Sequence, residues 1–246
     1  MKILNLGCGV KTSDRVINID WSIYLRIKSN PVLSALANLF LTEHRKRRLA
    51  DVADKNILVH NLAKGIPFPD ESVDAVYHSH LLEHLDRDVA LKFLGEIHRV
   101  LKPGGIHRIV IPDMEALSRT YLEHLGKAAT NDELAAEHDE YISAIIEQSV
   151  RRDAAGTVHH TPFFRRMENL IFGDARGRGE THQWMYDRIS LAQKLKSTGY
   201  EDIRKCDFKT SQIPAWVEIG LDARDDNPNE PHKDNELSLY LEAQKK

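Results

Sequence analysis

The residues best suited to chemistry fall in three short stretches: the glycines of "ILNLGCG", the acid closing "VINID", and the histidines and glutamate of "YHSHLLEHL". Gly7 and Gly9 follow an apolar run, and a turn without side chains lets backbone N–H groups approach a ligand closely. Asp20 ends a second apolar run, where a carboxylate can accept hydrogen bonds from both hydroxyls of a ribose. Together they read as one side of a nucleoside site, although two glycines alone also suit a bare turn. His78 and His80 offer imidazoles whose ordinary pKa near 6.5 suits a general base near neutrality. Glu83 suits either a carboxylate orienting a histidine or an acid at a helix N-terminus, and His84 stands beside it.

A second group lies further along, in "VHHTPFFRRMENLIFGDARGRGETHQWMYD". His159, His160 and His182 show no recognised zinc spacing, and no metal is expected. Arg165 and Arg166 beside Phe163, Phe164 and Trp184 suit an anionic or sugar-bearing acceptor, held by paired hydrogen bonds and stacking. The same stretch also suits a homodimer face.

These groups need a frame. Short branched-aliphatic runs at 3–6, 16–19, 56–62, 75–78 and 106–111, each closed by a turn or polar residue, read as buried parallel strands. "RDVALKFLGEIHRVL" places Val89, Leu91, Phe93, Leu94, Ile97, Val100 and Leu101 near helical spacing, and "KPGG" ends that helix. "DRISLAQKLKSTGY" predicts another helix, while "EDIRKCDF" and "ELSLYLEAQ" predict closing strands. Strands alternating with helices imply an α/β fold with a mostly parallel sheet and ligands at the carboxyl ends of its strands. Two helical segments interrupt the alternation, at 31–48 and at 114–179.

The stretch "HNLAKGIPFPDESVDAVYHSHLLEHLDRDVALKFLGEIHRVLKPGGIHRIVIPD", with "LNLGCG" and "NID" before it, resembles the core of class I S-adenosylmethionine-dependent methyltransferases of the type 11 kind. "HQWMYDRISLAQKL" and "LSLYLEAQK" resemble a little-characterised bacterial subgroup associated with surface-polysaccharide biosynthesis. The resemblance implies a Rossmann-like sheet with an antiparallel last strand, formed by 1–113 and 180–246, and a helical insertion, 114–179, as acceptor lobe or lid. It implies S-adenosyl-L-methionine as cofactor, with Leu6, Gly7, Cys8 and Gly9 along its methionine part and Asp20 on the ribose. Asn61 and Leu62 would sit at the adenine, and His78 and His80 where the methyl group meets its acceptor. The implied activity is methyl transfer to an oxygen or nitrogen of a small molecule or glycan precursor, with His80 and Glu83 as the catalytic candidates.

The chain departs from the family where Asn5 replaces an acid before the glycines, where Asn61 replaces an aspartate, and where residues 10–15 leave little room for a helix. Lys11 is a candidate for the missing positive charge. These departures keep open a noncatalytic module on the same fold. A nicotinamide-dependent oxidoreductase is a weaker alternative, because no GxGxxG is present.

The chain has 246 residues with 34 basic and 37 acidic side chains, so no global basic field supports nucleic-acid binding. Two cysteines, Cys8 and Cys206, argue against a disulfide framework and fit a reducing cytoplasm. "MKILNLGCG" is too quickly interrupted for a signal peptide, and no apolar run nears the roughly eighteen residues of a membrane span. Residues 31–48, apolar on one face and ending in "HRKRR", suit a lid over the cofactor or contact with an anionic membrane surface.

Overall fold

The computed structural model describes residues 1–28, 49–50, 56–148, 181–224, 227, 229–232 and 235–246. The lid or membrane segment expected at 31–48 lies outside the described residues. So do His159, His160, Phe163, Phe164, Arg165 and Arg166.

Seven strands form one sheet in the order β3-β2-β1-β4-β5-β7-β6. They are β1 (Ile3–Leu6), β2 (Ile17–Asp20), β3 (Ile57–Val59), β4 (Val73–Ser79), β5 (Leu101–Pro112), β6 (Tyr200–Cys206) and β7 (Ser238–Lys245). Neighbours among β1 to β5 pair in parallel, whereas β7 runs antiparallel to both β5 and β6. The expected α/β, Rossmann-like sheet with its antiparallel last strand is therefore present. β1 reads as an unbroken buried run because both its faces are covered.

Helices among the described residues include α1 (Ile23–Lys28), α2 (Arg87–Val100), α3 (Met114–Ala128), α4 (Asp132–Ala136), α5 (His138–Gln148), α6 (Arg188–Ser197) and α7 (Trp216–Ile219). One sheet face carries Leu4, Leu6, Ile19, Val76, Ile109 and Leu241, packed on Phe93, Leu94 and Ile97 of α2 and on Leu191 and Leu195 of α6. Each such side chain contributes roughly 1.5–3 kcal/mol by leaving water. Val89 and Leu91, expected on the same apolar face, are partly solvent-exposed. Asp187 caps α6 and Ser190 returns the bond, a reciprocal capping box.

The opposite face is covered differently. Ile3, Ala75, Tyr77, Val110 and Tyr240 pack on Ile213, Trp216, Ile219 and Leu221. Here a buried cation, Arg108, donates to Asp222 at 2.8 Å, to Glu242 at 2.7 Å and to the carbonyls of Thr210 and Asp207. The Tyr77 hydroxyl and the Trp216 indole N–H also donate to Asp222, so the carboxylates are fully engaged.

The shortened link from β1 to β2 has a physical account. Asn5 donates to the carbonyl of Lys11 and to Asn18, while Asn18 donates to the carbonyl of Ser13. Two buried amides thus satisfy a loop backbone that a helix would have satisfied internally. Asn5, read from the sequence as a departure from an expected acid, is a scaffold residue of this loop. The "KPGG" motif does end α2, but Leu101 to Gly105 belong to β5, and the extra residues form an irregularity between Val73 and Ala75 of the partner strand.

Candidate active site

Strand order reverses between β1 and β4, which places a crevice at the carboxyl ends of these two strands. The glycine turn leaves β1 on one side of it, and His80 to Glu83 leave β4 on the other.

Gly7 and Gly9 both take positive φ, 62° and 52°. A Cβ on Gly7 would come within 2.9 Å of Leu81, so the glycine lets the two loops touch; around Gly9 nothing among the described residues lies within 4 Å of such an atom. The Gly9 N–H donates to Asp20 Oδ2 at 2.8 Å, and the Ser22 N–H donates to Oδ1 at 2.6 Å. A carboxylate offers about four lone-pair positions, so both oxygens keep capacity for a ribose. Leu6 and Cys8 are buried beside these glycines. Asn61 caps the short turn Leu62–Lys64 by accepting from the Ala63 N–H at 3.0 Å.

The Lys11 ammonium crosses to β4, donating to Ser79 Oγ and to Asn235 Oδ1, each at 3.2 Å. Asn235 also lies 3.5 Å from Asp222, so the crevice and the Arg108 network share a chain of polar contacts. Ser79 follows His78 in the stretch expected beside the methyl group, whereas Asn235 does not stand out in the sequence; the fold brings both to Lys11.

His80, in the left-handed region at φ 49°, is held from two sides. Its Nε2 bonds the Ser238 hydroxyl at 3.0 Å, and its Nδ1 stands 3.2 Å from Glu83 Oε1. That second contact is an ion-pair distance without hydrogen-bond alignment, which leaves both Glu83 oxygens short of a bond. Burial alone pushes the Glu83 carboxyl up, but His80 and His84 more than reverse this and hold it below its ordinary value.

His78 takes a different place from the one expected beside the methyl group. Its ring is fully buried in the core, edge-on to Phe93 and against His107, with both nitrogens unpartnered among the described residues. Alternation along β4 sends His78 to the α2 face while Tyr77 and Ser79 face the other way. Burial lowers its pKa to about 4, against the opposing charge of Glu83. It is a core residue, not part of the crevice lining.

The segment 181–187 closes against this corner. The N–H groups of Gln183 and Trp184 donate to the Glu83 carbonyl, at 2.6 and 3.2 Å, and Tyr186 bridges to Asp113. Trp184, expected to stack on an acceptor, packs under the guanidinium of Arg87 at 4.4 Å. His84 and His182 lie ring against ring at 4.7 Å.

Residues 4–109 match the family described as methyltransferase domain. That match runs from β1 into β5 and takes in less than half of the chain. The glycine turn, the carboxylate at the end of β2 and the lysine at the mouth of β4 are groups that could hold the S-adenosylmethionine expected from the sequence. A curated relative from Aspergillus luteorubrus, named "Probable methyltransferase ltbC", is 28% identical over 138 residues, covering 52% of this chain. That match spans 45% of the relative, less than half its length. Solved S-adenosylmethionine-dependent methyltransferases from Archaeoglobus fulgidus and Methanosarcina mazei are 14% and 17% identical, each aligning with 99% of this chain. They are covered to 86% and 92%, with a TM-score of 0.42 in both cases. Among the described residues no helix is long and apolar enough to cross a membrane.

Proposed function

We propose that the protein transfers a methyl group from S-adenosylmethionine to an oxygen or nitrogen of a small molecule or glycan precursor. What supports this reading is the Gly9 to Asp20 hydrogen bond beside a Gly7 turn that abuts Leu81, next to His80, together with the similarity of residues 4–109 to a methyltransferase domain. Asp20 would take the ribose hydroxyls, the second lone pair of the Asn61 amide oxygen the adenine amino group, and Lys11 the carboxylate end. Leu62 would lie against the adenine. When bound, the cofactor supplies an activated methyl sulfonium, so the protein's task is mainly alignment.

His80 would stand at the transfer point, held by Ser238 and Glu83. With Nδ1–H toward Glu83, its Nε2 can accept a proton from an acceptor hydroxyl that displaces Ser238. The lobe from Met114 onward is proposed to hold the acceptor. The two cysteines, neither in a disulfide, favour a cytoplasmic setting.

Isothermal titration with S-adenosylmethionine and S-adenosylhomocysteine, with Asp20→Ala as control and NAD as comparison, tests the cofactor step. Micromolar binding lost in the variant supports the reading and justifies an acceptor screen; retention of NAD alone would replace it with an oxidoreductase.

A further inference from the structure

We propose that Glu83, His84 and His182 form a binding site for a divalent transition metal of the zinc class, at the corner where the β4 loop meets the segment 181–187. One donor atom from each of the three lies within 4.8 Å of the others. His182 is 98 positions beyond His84, so no sequence spacing announces the site; the fold makes it by pinning Gln183 and Trp184 to the Glu83 carbonyl.

The orientation of the two imidazoles is what a metal requires. His84 Nδ1 bonds the Thr181 carbonyl at 3.2 Å, and His182 Nδ1 bonds the Gln148 carbonyl at 2.9 Å. A carbonyl partner makes Nδ1 the protonated nitrogen and leaves Nε2 with its lone pair free to ligate, the outer-shell arrangement found around ligating histidines. The third donor is independent evidence. Glu83 is fully buried, and among the described residues its carboxylate has no aligned hydrogen bond, only the His80 Nδ1 at 3.2 Å from Oε1. A buried carboxylate with one imidazole beside Oε1 keeps lone pairs that a cation can use.

Two imidazoles and one carboxylate suit zinc, cobalt(II) or iron(II) better than calcium or magnesium, which prefer all-oxygen shells. Ligand atoms about 2.0–2.2 Å from a zinc ion stand about 3.4 Å apart, so small side-chain rotations close the site. Three protein ligands leave a position for water or an acceptor oxygen. The site stands whether or not the protein transfers methyl groups.

The test uses tag-free full-length protein, stripped with a chelator and titrated with Co²⁺ and then with Zn²⁺ as competitor. The expected result is one equivalent of Co²⁺ with visible d–d absorption, displaced by Zn²⁺, and a rise in melting temperature. His182→Ala and Glu83→Gln should each weaken binding more than about tenfold, beyond the lower range lost by disturbing outer-shell groups alone. S-adenosylmethionine titration and circular dichroism on the same samples report folding and the cofactor site separately; if Glu83→Gln fails to fold, His182→Asn, at a half-buried position, replaces it. Absence of a visible band and of a thermal shift in the wild type overturns the proposal. So does Co²⁺ affinity unchanged in folded His182 variants.

Discussion

The Gly9 backbone N–H donates to Asp20 Oδ2 at 2.8 Å, so two groups read as cofactor ligands also hold each other in place. Asp20→Ala therefore removes an anchor of the turn together with the ribose acceptor. A hydrogen bond to a charged group is worth about 1.5–3 kcal/mol, so affinity for S-adenosylmethionine should fall roughly 10- to 100-fold. Asp20→Asn, which keeps one acceptor oxygen, should fall between. Calorimetric titration of the three proteins checks this, and an alanine variant that binds as tightly as wild type would take Asp20 out of the site.

The two glycines should respond differently to alanine. Both have positive φ, which costs an alanine about 1–2 kcal/mol. At Gly7 the methyl group also meets Leu81 at 2.9 Å, whereas at Gly9 it meets nothing among the described residues. Urea unfolding should show Gly7→Ala as the less stable protein. Gly9→Ala should stay folded yet lose cofactor affinity, because its methyl group fills the space the ligand needs. Full affinity in Gly9→Ala would show that the ligand does not approach that turn.

The frame of this fold was legible because its signals are local. Buried strands show as apolar runs, α2 shows its spacing, and Asp187 with Ser190 marks the start of α6. What stayed hidden depends on contacts across the chain. Nothing near Asn5 says that it serves the Lys11 carbonyl, and nothing near His84 says that His182 will face it. His78 was misplaced for a related reason: a histidine at a strand end suggests a ligand, but side-chain alternation decides which face it takes, and here that face is the core.

That burial gives a pH prediction with a definite sign. The folded-state pKa of His78 is lowered to about 4 from its ordinary 6.5, mainly by burial. His107 beside it is shifted in the same direction. A histidine depressed in this way contributes stability that is fully present above pH 6.5. It is lost as pH falls toward 4, because only the unfolded chain takes up the proton. For His78 the loss is up to about 3 kcal/mol across that window. His78→Leu should be neutral or stabilising at pH 7, since two unpartnered nitrogens leave the core. Its stability should also decline less between pH 6.5 and 4 than that of wild type. Urea midpoints at pH 7, 5.5 and 4 check both points; parallel declines would show that His78 is already accessible to protons in the folded state.

Arg108 should be the most sensitive charged position in the sheet. It is fully buried and donates to Asp222, Glu242 and two carbonyls, so its planar fork satisfies four acceptors at once. Arg108→Met leaves two carboxylates buried without their cation and should cost about 3–5 kcal/mol in urea unfolding. Arg108→Lys keeps the charge but offers three donors from one point, and should recover only part of that loss. Adding Glu242→Gln to Arg108→Met should restore stability relative to the single variant, because one stranded charge is removed. If instead the two changes simply add, the ion pair contributes little, and the neutral bonds of Asp222 with Tyr77 and Trp216 hold this face together.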